Sequence, residues 1–272
     1  MNGASPGPLV LVGGGEDRTG PAVILREIVR LAGGSNAHIL ILGCASDQPR
    51  ETGAAYVEVF RRLGAGEARC LDIASRAEAN APSATRAVEG ANAVFFTGGD
   101  QVRITRLVGG TKLDTALHAC HEQGMVVAGT SAGATAMSSV MIVQGLAETT
   151  PRIGVVEMGP GMEFIGGVLI DQHFAERGRI GRLLSAVAQY PHDLGIGIDE
   201  NTALVVREAV FEVIGEGAVT ILDAGASTHS NALSIKRNEP LALCGIRLHV
   251  LPAPYRFDLR RRAPLVDESG DG

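Results

Sequence analysis

The fold of this chain is decided around residues 126–139, which read VVAGTSAGATAMSS. The apolar run up to Thr130 predicts a buried strand, and the following ATAMSSVM predicts a helix. Between them, Gly-Thr-Ser-Ala-Gly fits the pattern Gly-x-Ser-x-Gly. Such a turn places the apical Ser131 in solvent on a strained backbone, and N–H groups at the start of the helix could stabilise an oxyanion. Ser131 is therefore a candidate nucleophile, although similar sequences also occur in ordinary tight turns.

Short apolar runs alternate with amphipathic stretches on both sides of this turn. We predict strands at Pro8–Gly15, His38–Gly43, Arg69–Ile73, Ala93–Asp100, GGVLIDQHF (166–174) and GIGIDENTALVV (195–206). We predict helices at Pro21–Gly34, Arg50–Gly66, Thr111–Gly124 and Gly178–Tyr190. The alternation predicts parallel βαβ units whose sheet has helices on both faces.

The remaining segments complete this prediction. FEVIGEGAVTILDAG (211–225) predicts a hairpin that turns at Gly215–Gly217, whereas Ala74–Arg86 and Ser227–Pro240 are expected to be surface loops. There is no internal repeat and no linker-like segment. We therefore expect one α/β domain over residues 1–272, with a mostly parallel sheet and a β-rich C-terminal extension.

Composition excludes several classes of protein. With 45% hydrophobic and 20% charged residues, the 272-residue chain should fold, and no apolar run is long enough to span a membrane. The net charge of −6 and the absence of tryptophan argue against nucleic-acid binding. Met1–Val10 shows no secretion signal. The cysteines, Cys44, Cys70, Cys120 and Cys244, are widely spaced, which predicts reduced core thiols in a cytoplasmic protein rather than a zinc site or disulfides.

A serine nucleophile needs a base and a group that orients the base. Of the seven histidines, His173 is the best candidate, since it follows an apolar strand at the sheet edge where Ser131 is expected. His118 and His121 could form a metal pair but are more typical of a polar helix face. The acid could be Asp199 or Glu200, and their spacing does not decide between them.

Two further motifs could bind a substrate, and a third is excluded as a dinucleotide-binding loop. Arg177, Arg179 and Arg182 follow His173 closely, and guanidinium groups at a predicted helix start suggest carboxylate binding rather than only a solvated surface. Gly98-Gly99-Asp100-Gln101 ends a strand and could supply an oxyanion donor, or form a plain turn. VGGGED (12–17) lacks the spacing of a dinucleotide-binding loop, which excludes that function.

Together, GGGEDR, FFTGGDQ, GTSAGATAMS, DQHFAERGRIGRL and GIDENTAL resemble the cyanophycinases, serine peptidases of the dipeptidase E superfamily. These motifs span residues 13–204. The resemblance implies a class I glutamine amidotransferase-like, or flavodoxin-like, fold. It also implies hydrolysis of cyanophycin, a poly-aspartate chain carrying arginines on its side-chain carboxylates, to β-Asp-Arg dipeptides. No cofactor or metal is implied, and a homodimer is expected.

The same resemblance assigns roles to individual residues. It makes Ser131 the nucleophile, His173 the general base and Glu200 the orienting acid, and it places the oxyanion hole at the N–H groups of Gly99 and Ala132. The substrate-binding residues that it implies are Gln101, Asp171, Gln172, Arg177, Arg179 and Arg182.

Two other functions remain open at this point. One is a dipeptidase E-like enzyme acting on short Asp-containing peptides, which would share the serine turn but not the arginine series. The other is a non-catalytic binding module on the same scaffold, since fold alone does not imply function. A cysteine-dependent amidotransferase is disfavoured because no cysteine occupies the serine turn.

Overall fold

A computed structural model describes residues 5–147 and 150–266 of the chain. Its helices are α1 (Val23–Leu31), α2 (Pro49–Arg62), α3 (Arg76–Ala79), α4 (Pro82–Glu89), α5 (Gln101–Leu107), α6 (Lys112–Glu122), α7 (Ala132–Thr135) and α8 (Ile180–Gln189). Its first nine strands are β1 (Leu9–Val12), β2 (His38–Leu42), β3 (Glu67–Leu71), β4 (Ala93–Phe96), β5 (Val126–Thr130), β6 (Val140–Gly145), β7 (Val156–Pro160), β8 (Val168–Gln172) and β9 (Leu194–Ile198). The later strands are β10 (Thr202–Arg207), β11 (Val210–Gly215), β12 (Ala218–Asp223), β13 (His229–Ser230), β14 (Leu243–Cys244), β15 (Arg247–Pro252), β16 (Arg256–Asp258) and β17 (Ala263–Leu265).

The main sheet has nine strands in the order β17-β16-β11-β10-β1-β5-β4-β2-β3. The five strands from β1 to β3 in this order run parallel, whereas the four from β10 to β17 are joined to β1 and to one another antiparallel. The predicted α/β class and the β-rich C-terminal part are thereby confirmed. The parallel half brings the carboxyl ends of β1 and β5 side by side, with Val12 opposite Thr130.

The two faces of the main sheet bury different cores because side chains alternate along each strand. Val10 and Val12 point into a core shared with α1 and α2. Leu9 and Leu11 point into the opposite core, which contains residues of α4, α5 and α6. Both faces are therefore covered, and this explains the almost unbroken apolar sequence of the parallel strands.

A second sheet, in the order β15-β12-β9-β8, closes the larger core from the far side. Its inner face contributes Ile170 and Ile196 to that core, while its outer face packs Leu169 against Leu183 of α8. The sequence did not reveal this sheet. The predicted strand 195–206 is two strands, β9 in the second sheet and β10 in the main one.

The predicted hairpin at 211–225 is also wrong, because its two strands belong to different sheets. β11 pairs with β10 and β16 in the main sheet, whereas β12 pairs with β9 and β15 in the second. Gly215, at a φ of 106°, lets the chain leave one sheet for the other, and a Cβ there would lie 2.2 Å from the Asn201 carbonyl oxygen. Two adjacent apolar runs with a glycine turn match a hairpin, but here each pairs with other strands.

Two other local predictions are also corrected. The expected loop at 74–86 contains α3 and most of α4, because Ser75 caps α3 through the Glu78 N–H and Pro82 occupies the start of α4. The helix expected after Ser131 is a single turn, α7, and the chain then enters β6. Residues 227–240 are irregular apart from β13, as predicted.

Two further predictions concern a secretion signal and a membrane span. The prediction about a secretion signal concerned residues 1–10, of which residues 1–4 lie outside the described part. Among the described helices, none has the length and apolar character needed to cross a bilayer.

Candidate active site

Ser131 lies at the apex of the turn between β5 and α7, as its sequence pattern predicts. Its φ of 53° is in the left-handed region, and its N–H donates to the Val12 carbonyl at 2.9 Å. A Cβ on Gly129 would lie 2.6 Å from the Gly133 backbone, and one on Gly133 would lie 2.4 Å from the Phe96 carbonyl oxygen. The two glycines therefore permit a backbone approach that any larger residue would block.

His173 lies between Ser131 and Glu200. Its Nε2 is 3.0 Å from Ser131 Oγ, and its Nδ1 is 2.5 Å from Glu200 Oε1. A carboxylate can only accept, so Nδ1 carries a proton and Nε2 faces the serine hydroxyl as an acceptor. The histidine side chain is 13% exposed and the glutamate side chain 41% exposed, so the row of hydrogen bonds reaches solvent at its acidic end.

The end of β1 holds these three segments together. Three successive carbonyls at the end of the strand accept backbone N–H groups from the three site segments: Val12 from Ser131 (2.9 Å), Gly13 from His173 (2.8 Å) and Gly14 from Asn201 (2.9 Å). The glycine run belongs to the motif GGGEDR, but its part in holding the site together was not predicted. Three consecutive glycines directly after a predicted strand were the signal that could have identified this role.

The side-chain space explains why glycine is required here. A Cβ on Gly14 would lie 2.4 Å from the imidazole of His173, and one on Gly15 would lie 2.7 Å from Glu200 Oε2. The imidazole and the carboxylate therefore occupy the positions of missing side chains. We call residues 13–15 the glycine cradle.

Asp199 and Glu200 have different contacts, which the sequence could not distinguish. Asp199 accepts the N–H groups of Ala175 and Ala218, each at 3.1 Å, while Glu200 contacts the imidazole. In return, the Glu200 N–H donates to Glu176 Oε1 at 3.2 Å. These reciprocal bonds fasten the segment after His173 to the segment around the acid.

Glu16 lies buried directly after the glycine cradle and was missed by sequence analysis. Its carboxylate accepts the Thr130 hydroxyl at 2.6 Å and the Tyr56 hydroxyl through a short hydrogen bond. Burial raises the pKa of Tyr56, and the nearby Glu16 carboxylate raises it further. Since Thr130 precedes Ser131, Glu16 connects the cradle to the strand that carries the serine.

Asp17, the next residue, shapes the loop that leads to α1. Its carboxylate accepts the N–H groups of Thr19, Gly20 and Ala22 at 2.8–2.9 Å. The hydrogen bonds from Gly20, Ala22 and Thr19 lower the pKa of Asp17 from 3.8 to about 2. Its own N–H donates to the Asn201 side chain at 2.9 Å, which joins this loop to the segment of Glu200.

The two predicted oxyanion donors flank the serine. Gly99, at a φ of 139°, follows Gly98, whose Cβ position lies 3.4 Å from Ser131 Cβ. Ala132 immediately follows the serine at the start of α7. Across the described ranges, neither the Gly99 N–H nor the Ala132 N–H donates to another residue. Because α7 is one turn long, these individual N–H groups, rather than a helix dipole, are what the turn offers to an anion.

Three of the predicted substrate-binding residues instead bind one another in the interior. Asp171 is fully buried in β8 and pairs with Arg179 at 3.2 Å and with Arg182, whose Nε lies 2.9 Å from its Oδ2. Arg182 also donates to the Gly145 carbonyl, and Arg179 to the Gln172 carbonyl. Burial lowers the pKa of Arg179 to about 10, an effect that the Asp171 carboxylate opposes. Their charged groups are thus paired with one another and buried, and a contact of these three side chains with substrate stays a prediction.

The other predicted binding residues have different surroundings. Gln101 donates to the carbonyls of Ile142 and Val143 in β6, at 2.9 and 2.6 Å. Gln172 is buried beside His173, and its Oε1 has no partner among the described residues. Arg177 is exposed one turn after His173. Their roles toward a substrate stay predictions.

The cysteines and the histidine pair partly depart from expectation. Cys44 is buried, which raises the pKa of its thiol to about 11, but Cys244 is exposed and is no core residue. All four thiols are free. His118 stacks on Phe164, and His121 is buried, so they do not form a polar face. In the described ranges, no group of three potential metal ligands is present.

Comparisons with known proteins identify the family to which the chain is similar. The family model described as Peptidase family S51 matches residues 9–214. A cyanophycinase from Trichormus variabilis is 39% identical over 259 residues, covering 94% of this chain and 87% of that protein. A cyanophycinase from Geminocystis herdmanii is 38% identical over 260 residues, covering 95% and 96%.

A solved structure supports the fold independently. The crystal structure of a peptidase from an acI-B1 Actinobacterium superimposes with a TM-score of 0.67 at 22% identity. The match covers 92% of this chain and 98% of that one. At this level of identity, the likeness establishes the fold alone.

Proposed function

The chain belongs to peptidase family S51, and from this premise we propose that it hydrolyses the poly-aspartate backbone of cyanophycin and releases β-Asp-Arg dipeptides. The observation that carries the proposal is the row of hydrogen bonds from Ser131 through His173 to Glu200. The name shared by the relatives described above supports the choice of substrate.

In the proposed reaction, Ser131 Oγ attacks a backbone carbonyl of the polymer while His173 Nε2 takes its proton. The C–O bond forms as the carbonyl becomes a tetrahedral oxyanion. His173 then gives the proton to the leaving amine, the C–N bond breaks, and an acyl-enzyme remains. His173 next deprotonates a water, which attacks the ester carbonyl and forms a second tetrahedral oxyanion. The C–Oγ bond then breaks, His173 returns the proton to Ser131 Oγ, and the product leaves with its new carboxyl group. Glu200 holds the tautomer and stabilises the imidazolium during both steps.

The N–H groups of Gly99 and Ala132 are proposed to hold the oxyanion, because they flank the serine and are available as donors. For the substrate itself, exposed Arg177 is the better candidate for a carboxylate, since Arg179 and Arg182 are paired with Asp171. Gln172 adds a buried acceptor beside the histidine. Arg177 thus offers a cation, and Gln172 an acceptor, to a substrate that carries positively and negatively charged groups.

The test is product analysis by mass spectrometry after incubation with cyanophycin, and in parallel with Asp-containing dipeptides. Release of β-Asp-Arg from the polymer by the wild type, and not by Ser131→Ala, would support the proposal. Turnover of the dipeptides alone would instead identify a dipeptidase E-like enzyme.

We further propose a homodimer that functions in the cytoplasm. The dimer follows from the resemblance to the cyanophycinases, and four free thiols support a reducing compartment. Light scattering coupled to size-exclusion chromatography would test the assembly, since a dimer has twice the 28.2 kDa mass of the chain.

A further inference from the structure

A wide groove lies beside the β6–β7 hairpin, outside the site described above. Its volume is about 890 Å³, which is within the range of ligand pockets. One wall is formed by the hairpin and the other by the segment that contains Arg237. The lining residues that matter here are Gln144, Gly145, Leu146, Gly154, Glu157 and Arg237.

Arg237 supplies a cation to this groove. Its side chain crosses Gly154, where a Cβ would lie 2.7 Å from Arg237 Cγ, so glycine makes room for the arginine stem. Over residues 5–147 and 150–266, its guanidinium forms no ion pair or hydrogen bond with the protein. Glu157, the acidic residue among the described lining residues, is already bonded to Gln144 at 2.6 Å. An unpaired guanidinium in a groove of a chain with net charge −6 is suited to a carboxylate.

The wall that carries Arg237 is fastened to the body of the protein. Asn238 N–H donates to the Ile153 carbonyl at 2.8 Å, and Leu241 N–H donates to the Pro151 carbonyl at 2.9 Å. The neighbouring Arg152 N–H donates to Ser185 of α8 at 3.1 Å. The arginine is therefore presented by a tethered segment rather than by a free loop.

Gln101 and strand β6 link the serine turn to the groove. Gln101, which follows the Gly98-Gly99 turn beside Ser131, is bonded to the carbonyls of Ile142 and Val143. Two residues further along β6, about 7 Å at 3.3 Å per residue, Gly145 lines the groove. An extended peptide covers about 3.3–3.6 Å per residue, so a long polymer held at the serine can extend along this path.

The groove also lies partly beyond the family match. That match ends at residue 214, whereas Arg237 and Asn238 come later in the chain. This wall is therefore additional to the part of the fold that carries Ser131, His173 and Glu200.

We propose that this groove is an accessory binding site for the polymer chain that extends from the serine, with Arg237 binding a carboxylate of the substrate. This inference rests on the proposed function. An arginine linked through its amino group to each aspartate keeps a free carboxylate, so the polymer repeats the group that Arg237 can bind. A fragment of two Asp-Arg units has only about 7 Å of extended backbone and is the short substrate for comparison.

The experiment compares Arg237→Glu, Arg237→Lys and the wild type on a long polymer and on a fragment of two Asp-Arg units. Arg86→Glu, which makes the same charge change at an exposed position of α4, is the matched control. We expect Arg237→Glu to lower kcat/KM on the polymer about tenfold, the loss expected for one charge-assisted hydrogen bond. We expect it to leave the fragment unchanged. Arg237→Lys, which keeps the charge, should retain most of the activity on the polymer.

Equal activity of Arg237→Glu and wild type on the polymer would overturn the accessory site and leave the proposed function intact. Equal losses on polymer and fragment would also overturn it, because the effect would then lie in the active site. The proposed function itself fails if the wild type does not cleave the polymer and the Ser131→Ala variant does not co-sediment with it. Each variant should have the melting temperature of the wild type, so that a loss of activity reflects weaker binding and not unfolding.

Discussion

Two polar clusters meet at the end of β8, and they are built in opposite ways. One is the row Ser131–His173–Glu200, whose acidic end is 41% exposed; the other is Asp171 with Arg179 and Arg182, in which the carboxylate is fully buried. His173 of the first cluster and all three residues of the second lie in the single sequence DQHFAERGRIGRL, and both clusters consist of residue types that bind and react.

The difference arises from the backbone at His173. Positions 171 and 173 would face the same side of a regular strand, but β8 ends at Gln172 and His173 has a φ of 47°. This turn directs the imidazole toward Ser131, while Asp171 stays in the interior and neutralises two arginines. Charged residues close together in sequence can therefore serve chemistry or internal pairing, and the local backbone decides which.

The largest effect should come from removing the serine hydroxyl. Ser131→Ala should lower kcat by about 10⁴-fold or more, because no other group near His173 replaces the nucleophile. Steady-state kinetics with cyanophycin measures this, and Ser83→Ala, at an exposed position of α4, is the control. Activity within tenfold of wild type would assign the chemistry to another residue.

Breaking the buried cluster should instead affect stability. Asp171→Ala leaves two arginines without their counter-charge and should lower the free energy of unfolding by about 3–5 kcal/mol, as measured by urea denaturation. Asp47→Ala removes an exposed carboxylate that is paired with Arg103 at 2.8 Å and should change it by less than about 1 kcal/mol. A stable Asp171→Ala variant with a raised KM would mean that the cluster contacts substrate after all.

Replacing Glu16 should have a smaller effect, because this buried carboxylate supports the strand that carries Ser131. In Glu16→Gln, one of the two hydroxyl donors, Thr130 or Tyr56, loses its carboxylate acceptor, and the turn before Ser131 is held less firmly. We expect about a tenfold loss of kcat, equivalent to about 1.4 kcal/mol, with KM unchanged. Glu58→Gln on the exposed face of α2 is the control. A raised KM at constant kcat would contradict a role in positioning the serine.

The smallest effect concerns acid stability. Because the folded pKa of Asp17 is lowered from 3.8 to about 2, its contribution to stability is present above pH 4 and is lost as the pH falls through about 2. Asp17→Asn should therefore lower the melting temperature at pH 5 and flatten its fall between pH 4 and 2. If the melting temperatures of wild type and variant fall equally between pH 4 and 2, the loop hydrogen bonds do not favour the ionised form of Asp17.

Much of the parallel half of the fold could be predicted from the sequence. The strand before Ser131 and the helices Pro21–Gly34 and Thr111–Gly124 follow from local periodicity, glycines and capping residues, and α6 indeed begins at the Thr111 cap. The geometry brings together Ser131, His173 and Glu200, the three residues selected on the strand ends and on the resemblance. Their catalytic roles stay proposals until the variants are measured.

The amino-acid sequence by itself determined the elements that depend on neighbours in the chain: the serine turn, the apolar strands and most helices. Only the tertiary structure decided what depends on distant partners. It assigned β11 and β12 to different sheets, placed the glycine cradle against His173 and Glu200, and buried Asp171 with its arginines. The physical reason is that backbone conformation is selected locally, whereas strand pairing, burial and charge neutralisation depend on residues that meet only after the chain has folded.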